Sequence, residues 1–129
     1  MKSIVICGSK RFKAEAREFA RKIKELGVLV YEPYFHQGQE EWDRLSDDYK
    51  KFISLGLTHD HFYKIRMADA VYFYNQDGYL GNSSTLELGF AEALGKPIYA
   101  LMQDKDEPCR NVLFDEIVST PEELVKRLQ

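Results

Sequence analysis

Ala70-Val71-Tyr72-Phe73-Tyr74 is a run of five apolar and aromatic residues, followed by the loop Asn75 to Ser83 and then by Ser84-Thr85-Leu86-Glu87-Leu88-Gly89-Phe90-Ala91-Glu92-Ala93-Leu94-Gly95. The first run has the length and residue types of a buried strand. The loop is polar and holds Gly78 and Gly81, which marks a turn. The third run predicts a short amphipathic helix over 84–95, closed by Gly95 and the following Pro97. A strand, a loop and a helix in that order build a ligand site at the carboxyl end of a strand in an open α/β sheet. Glu87 is expected in the first turn of the helix, facing the crevice. Ser84-Thr85-Leu86-Glu87 also matches a capping box. Two readings of Glu87 follow, a helix cap and a carboxylate nucleophile held by a rigid element.

Working outward, the same alternation continues. Ile4 to Cys7 reads as a strand, and Phe12, Ala16, Phe19, Ala20, Ile23 and Leu26 recur at helical spacing before Gly27. Val28 to Tyr31 is a second strand stopped by Pro33. Trp42, Leu45, Tyr49, Phe52 and Ile53 mark a helix, and Phe62, Ile65 and Ala68 mark another from about His59 to Ala68. Pro97 to Met102 and Ile117-Val118 are the fourth and fifth strands. Thr120-Pro121-Glu122-Glu123 opens a last helix with a capping box and Pro at its first position. Strands alternating with helices imply an α/β fold, a doubly wound five-stranded parallel sheet with helices on both faces. Right-handed crossovers gather the loops 8–11, 33–41, 75–84 and 103–110 at one edge. His59, Asp60 and His61 fall near that crevice, whereas Asp69 falls at the opposite edge and reads as structural.

A chain of 129 residues is expected to form one domain, 1–129. Its 44% hydrophobic and 30% charged residues are ordinary for a globular protein. The apolar runs are too short to span a bilayer, and Met1-Lys2-Ser3-Ile4-Val5-Ile6-Cys7 reads as a first strand rather than a signal peptide. Cys7 and Cys109, the two cysteines, make no disulfide framework, and a cytoplasmic location is expected. Cys7 reads as a small apolar strand residue. Net charge is −3 with no basic stripe, which argues against a nucleic-acid binder.

Gly8-Ser9-Lys10-Arg11 leaves the first strand and opens the first helix. Free amides there, with donors from Ser9 and Arg11, suit a small anion such as phosphate, and Ser9 equally suits an N-cap. Neither a P-loop nor GxGxxG is present. Asp77, Asn82, Ser83 and Ser84 offer hydrogen bonds to hydroxyls or phosphate. His59-Asp60-His61 lacks metal-ligand spacing, so no metal is expected, and Asp60 or His61 is the candidate acid–base or hydroxyl-binding group. Tyr31, Tyr34, Phe35, Tyr74 and Tyr79 lie near the crevice edge as candidates to stack on a base.

Cys7-Gly8-Ser9, Ala68-Asp69-Ala70-Val71 and Leu86-Glu87-Leu88-Gly89-Phe90-Ala91 with Gly95-Lys96-Pro97-Ile98 together resemble the nucleoside 2-deoxyribosyltransferase-like family, which includes the 2'-deoxynucleoside 5'-phosphate N-hydrolases. The likeness runs over nearly the whole chain. It implies a flavodoxin-like (Rossmann-like) sheet and places the family's nucleophile on Glu87. That carboxylate would attack C1' of the sugar and displace the base, leaving a glycosyl-enzyme that a second base or water resolves, as in a retaining glycosidase. The resemblance further implies no cofactor, a homodimer or larger homo-oligomer in which a neighbouring chain completes the site, and Asn111 as the candidate for the donated residue. The Gly8–Arg11 loop is more similar to the phosphate loop of the nucleotide hydrolases than to the free-nucleoside transferases. The chain departs from the pattern where a first-strand Tyr usually supports the nucleophile, aligned with Val5, and where a helix Asp is usual, aligned with His61. Gly81-Asn82 stand near a further acidic position. The expected activity is cleavage of the N-glycosidic bond of a (deoxy)nucleoside or its 5'-monophosphate. A non-catalytic nucleotide-sensing module and an NAD-type glycohydrolase are the alternatives.

Overall fold

A computed structural model of the chain describes residues 1–34 and 38–129. Five strands, β1 (Ile4–Gly8), β2 (Val30–Tyr31), β3 (Ala70–Tyr74), β4 (Ile98–Ala100) and β5 (Glu116–Ile117), form one sheet in the order β2-β1-β3-β4-β5. Every pairing is parallel. β1 and β3 are the long central pair, in register from Ile4 opposite Ala70 to Gly8 opposite Tyr74. Both are apolar throughout because both of their faces are covered.

Successive side chains feed two separate cores. Ile4, Ile6, Tyr72 and Tyr74 pack on one face with Phe19 and Ile23 of α1 (Lys13–Glu25) and Leu124 and Leu128 of the α6 region (Pro121–Arg127). Val5, Cys7, Val71 and Phe73 pack on the other with Ile65 of α3 (Asp47–Met67) and Leu88 and Ala91 of α4 (Asn82–Ala93). The buried Tyr72 hydroxyl donates to the Val118 carbonyl at 2.7 Å, so its polar end is satisfied. Ile65 is wholly buried, and its truncation to Ala would cost about 2–5 kcal/mol. Two single-turn or near-single-turn helices, α2 (Gln39–Arg44) and α5 (Pro108–Asn111), complete the set. This is the doubly wound, flavodoxin-like α/β architecture that the alternation of elements predicts, with strand order 2-1-3-4-5.

Two helices begin elsewhere than expected. The expected helix at 59–68 is the last part of a continuous 21-residue helix, α3. Its true start is Ser46, whose hydroxyl accepts from Tyr49 N at 3.2 Å, followed by Asp47 and Asp48 in the first turn. α4 begins at Asn82, two residues before the expected start, with Gly81 as its N-cap and no side chain capping it. The expected capping box does not form, because Ser84 and Glu87 lie inside the helix. Thr85 Oγ1 instead donates back to the Gly81 carbonyl at 2.8 Å. Glu87 is thus in the second turn of α4, and the cap reading of this residue is withdrawn. The last helix follows expectation, with Thr120 Oγ1 accepting from Glu123 N at 3.2 Å and Pro121 at the first position.

At the N-terminal edge of the sheet, Asp69 Oδ2 accepts from Ser3 N at 2.8 Å and from Ser3 Oγ at 3.0 Å. Asp69 ties the start of β1 to the start of β3. None of the described helices is long and apolar enough to cross a membrane.

Candidate active site

The chain leaves β1 toward β2 on one side and crosses to β3 on the other, so the carboxyl ends of β1 and β3 flank the point where the winding reverses. Open α/β sheets bind ligands in that crevice. Here it holds a cleft of about 280 Å³ lined by Gly8, Lys10, Pro33, Tyr34, Trp42, Leu57, Thr58, His61, Ser83 and Glu87. Gly8 forms part of its floor. A Cβ at Gly8 would stand 3.0 Å from the Tyr74 carbonyl oxygen, so a side chain there would need the strand ends to give by a few tenths of an ångström.

Glu87 reaches the cleft from α4, and His61 reaches it from the middle of α3. His61 Nε2 lies 3.9 Å from Glu87 Oε1 and 3.2 Å from Cys7 Sγ. Cys7 and His61 are buried, at no exposure and 5%, and Glu87 is largely enclosed at 13%. Burial pushes the Glu87 carboxyl up to about 8, against a smaller lowering by the hydrogen bond from the Cys7 thiol. Burial, with a smaller push from the Lys64 charge, holds His61 down at about 4, against an opposing pull from Asp60. The Cys7 thiol is raised by its own burial and then by Glu87. His61 is therefore neutral near pH 7, and its approach to Glu87 is not an ion pair. Its Nδ1 is buried with no hydrogen-bond partner among the described residues.

Sequence reasoning missed the part Cys7 plays. The resemblance aligns the usual first-strand support with Val5, and Val5 is buried in the apolar core between the sheet and α3–α4, with no polar group to offer the carboxylate. Two residues on, Cys7 touches Glu87 from the same strand. The signal was available: residues two apart on a strand share a face, and Cys7 is the last residue with a side chain before the strand ends at Gly8.

The other expected residues divide. Gly8, Lys10 and Ser83 join Glu87 and His61 around the cleft. Ser9 N-caps the 3₁₀ turn Lys10–Phe12 by accepting from Arg11 N at 3.2 Å. It also lines an adjoining cavity of about 150 Å³ that shares Gly8 and Pro33 with the cleft and contains Lys13, Arg17 and Glu32. The Arg11 guanidinium sits 3.9 Å over the Tyr79 ring. Asp60 pairs with Lys64 at 2.7 Å on an exposed part of α3. Asp77, the one non-glycine with positive φ among the described residues (59°), is exposed at the tip of its loop. Asn82 is exposed and Ser84 buried, and neither lines the cleft.

Asn111 is committed within its own loop: its side chain accepts from Asp104 N at 2.7 Å and donates to Asp104 O at 2.8 Å. Of the aromatic candidates, Tyr34 lines the cleft, Tyr31 packs against the α3–α4 core, and Tyr74 and Tyr79 pack on the other face. Phe35 lies outside the described residues. Trp42 and Leu57 line the wall without having been singled out.

A second layer holds α4 in place. Arg110 Nη1 meets both oxygens of the buried Asp104 carboxylate at 3.1 and 3.0 Å, and Arg110 Nε donates to Thr85 Oγ1 at 3.2 Å. Burial alone would raise the Asp104 carboxyl, but the amides of Glu107 and Asp106 and the Arg110 guanidinium outweigh it and hold it below the usual carboxylate range. The loop after β4 is thereby fastened to the first turn of the helix that carries Glu87.

Chemically, the arrangement offers a buried carboxyl beside a thiol and a neutral imidazole, under an aromatic wall and next to a basic rim. No protein-family model and no curated protein matches the chain. Solved structures do match it in fold. A conserved protein from Enterococcus faecalis V583 superposes with a TM-score of 0.63 at 18% identity, over 99% of this chain and 97% of that one. The Clostridium botulinum CMP N-glycosidase BcmB superposes with a TM-score of 0.55 at 16% identity, over 98% of each chain. Both therefore share with this protein the architecture described above, from the first strand to the last helix.

Proposed function

We propose that this protein is an N-glycosidase of the nucleoside 2-deoxyribosyltransferase-like type, acting on a nucleoside 5'-monophosphate or nucleoside through Glu87. The observation that carries the reading is the placement of a buried carboxyl at the β1/β3 crevice, on a rigid helix, with its support from Cys7 and His61. The fold shared with a CMP N-glycosidase supports the same class of reaction. Ionised Glu87 attacks C1', the C1'–N bond breaks with its electron pair leaving on the base, and the base takes up a proton. Water or a second base then resolves the glycosyl ester.

His61 orients the sugar in this reading, since Asp60 is held by Lys64. Tyr34 and Trp42 flank the base. Lys10, Ser83 and the uncapped amides at the start of α4 hold phosphate, with Ser9, Lys13 and Arg17 at the adjoining cavity. A cleft of about 280 Å³ is at the lower end for ligand pockets and favours a mononucleotide over an NAD-type dinucleotide. The exposed Tyr49, Phe52, Leu55 and Tyr63 on α3 support the homo-oligomer reading, which sedimentation tests directly.

The deciding assay is base release from nucleosides, their 5'-monophosphates (CMP among them), the deoxy forms and NAD, with wild type and Glu87→Gln. Release by wild type alone supports the proposal. Binding of a nucleotide without turnover by any of the panel would replace it with a sensing module.

A further inference from the structure

Cys7, His61 and Glu87 together have a property that glycosidic cleavage does not use. Each presents one ligand atom of a different kind, a sulfur, an imidazole nitrogen and a carboxylate oxygen, and all three atoms lie within 4.8 Å of one another. They come from three different elements, β1, α3 and α4, so the fold rather than a local motif gathers them. A tetrahedral Zn²⁺ with bonds of about 2.0–2.3 Å keeps its ligand atoms about 3.3–3.7 Å apart. The observed Sγ–Nε2 distance of 3.2 Å and Nε2–Oε1 distance of 3.9 Å bracket that range.

We propose that Cys7 Sγ, His61 Nε2 and Glu87 Oε1 form a binding site for a single zinc-like divalent cation, with the fourth position open to the cleft. Thiolate with imidazole and carboxylate is a donor set that selects Zn²⁺ and its spectroscopic substitute Co²⁺ over Mg²⁺ or Ca²⁺. Three protein ligands with one open position is the pattern of an accessible rather than a sealed zinc site. Charge favours it as well. A thiolate and a carboxylate together balance a dication, so the occupied cluster is neutral once both ligands have given up their protons. Among the described residues no hydrogen-bond partner fixes His61 Nδ1, so none of them opposes the tautomer that turns the Nε2 lone pair to the metal.

Metal on Glu87 Oε1 neutralises the carboxylate charge and so weakens the proposed nucleophile. The cation is thus an inhibitor of base release, displaced by chelator. That consequence rests on the glycosidase reading, whereas binding itself does not.

The test uses the whole purified chain, stripped with chelator and titrated with Zn²⁺ by calorimetry and with Co²⁺ by absorption. One ion per chain and a thiolate-to-cobalt charge-transfer band are expected. Cys7→Ser should abolish the band and weaken Zn²⁺ by at least the roughly 10–100-fold that loss of an outer-shell partner costs. His61→Gln and Glu87→Gln should each weaken it comparably. Cys109→Ser, which changes the exposed second thiol, should leave band and affinity intact. Three variants on separate elements guard against one failing to fold. Absence of stoichiometric binding, or a band that disappears with Cys109 instead of Cys7, overturns the site. Absence of base release from chelator-treated wild type counts against the glycosidase reading alone.

Discussion

The two ends of the same central strands are built on opposite principles. Where β1 and β3 begin, Ser3 and Asp69 exchange hydrogen bonds in both directions, and Lys96 Nζ donates to the carbonyls of Arg66 and Ala68 at the end of α3. Polar groups there are exposed or paired. Where the strands end, Cys7 and His61 are buried against a largely enclosed Glu87, and His61 Nδ1 has no partner among the described residues. Buried polar groups without partners cost stability, and they persist where chemistry needs them. One edge therefore anchors the sheet, and the other holds groups whose protonation is shifted.

Glu87→Gln should separate the two edges most sharply. At the cleft it should lower kcat/KM by roughly 10⁴-fold or more, as loss of a nucleophile does. In chelator-treated protein it should nevertheless raise stability on the order of 2 kcal/mol at pH 7, because the wild-type carboxyl must hold a proton in the folded state that it loses on unfolding. Parallel denaturant titrations and base-release rates check both signs, and a Gln variant less stable than wild type contradicts the stated cost of burial.

The pH dependence follows from the same groups, again without metal. Glu87 has a folded value near 8, raised above its ordinary 4.5. Its contribution to stability is full below 4.5 and is lost as pH rises through 8. His61 is lowered from 6.5 to about 4, so its contribution is present above 6.5 and lost as pH falls through 4. The two slopes oppose and cancel between 4.5 and 6.5, so stability should be nearly flat there and fall on either side. kcat/KM should climb with pH toward a plateau above about 8, as a nucleophile that must ionise requires. A profile that falls over the same range would assign Glu87 as a proton donor.

Smaller effects test the rims. Trp42→Ala should raise KM about 10-fold with kcat nearly unchanged, the scale of one stacked base. Asp69→Ala should lower the melting temperature without moving KM, and a shifted KM would show that the anchoring edge communicates with the cleft.

Much of this was legible in the sequence. The run Ala70–Tyr74 is a strand over those same residues, and the alternation of elements carried the parallel, doubly wound sheet. The start of α4 was not, because Ser84 and Thr85 are good caps and also acceptable residues of a first turn, and the backbone used Gly81 instead. The unity of α3 was hidden for a related reason. Tyr49, Phe52, Leu55 and Tyr63 are exposed on it while His61 and Ile65 are buried, so its apolar residues do not mark a single inward face. Within the site, Gly8, Lys10, Ser83 and Glu87 were within reach of sequence reasoning because they lie at a strand end or near a helix start, whereas His61 was set near the crevice by an expected helix start at His59, and that helix begins instead after Ser46. Cys7 as a partner of Glu87, and the Asp104–Arg110–Thr85 brace, depend on distances between elements that no local pattern encodes.

Gly8 also determines how this cleft can diversify. A side chain added there would press on the Tyr74 carbonyl, so any substitution on the floor has to be absorbed by movement of the strand ends. The wall carries no such constraint: Tyr34 and Thr58 are exposed, and Trp42 and Leu57 are half-buried. Mutational drift, or a designer seeking a new base preference, therefore has one productive direction. The walls can be rewritten residue by residue while the reacting centre stays where β1 and β3 hold it.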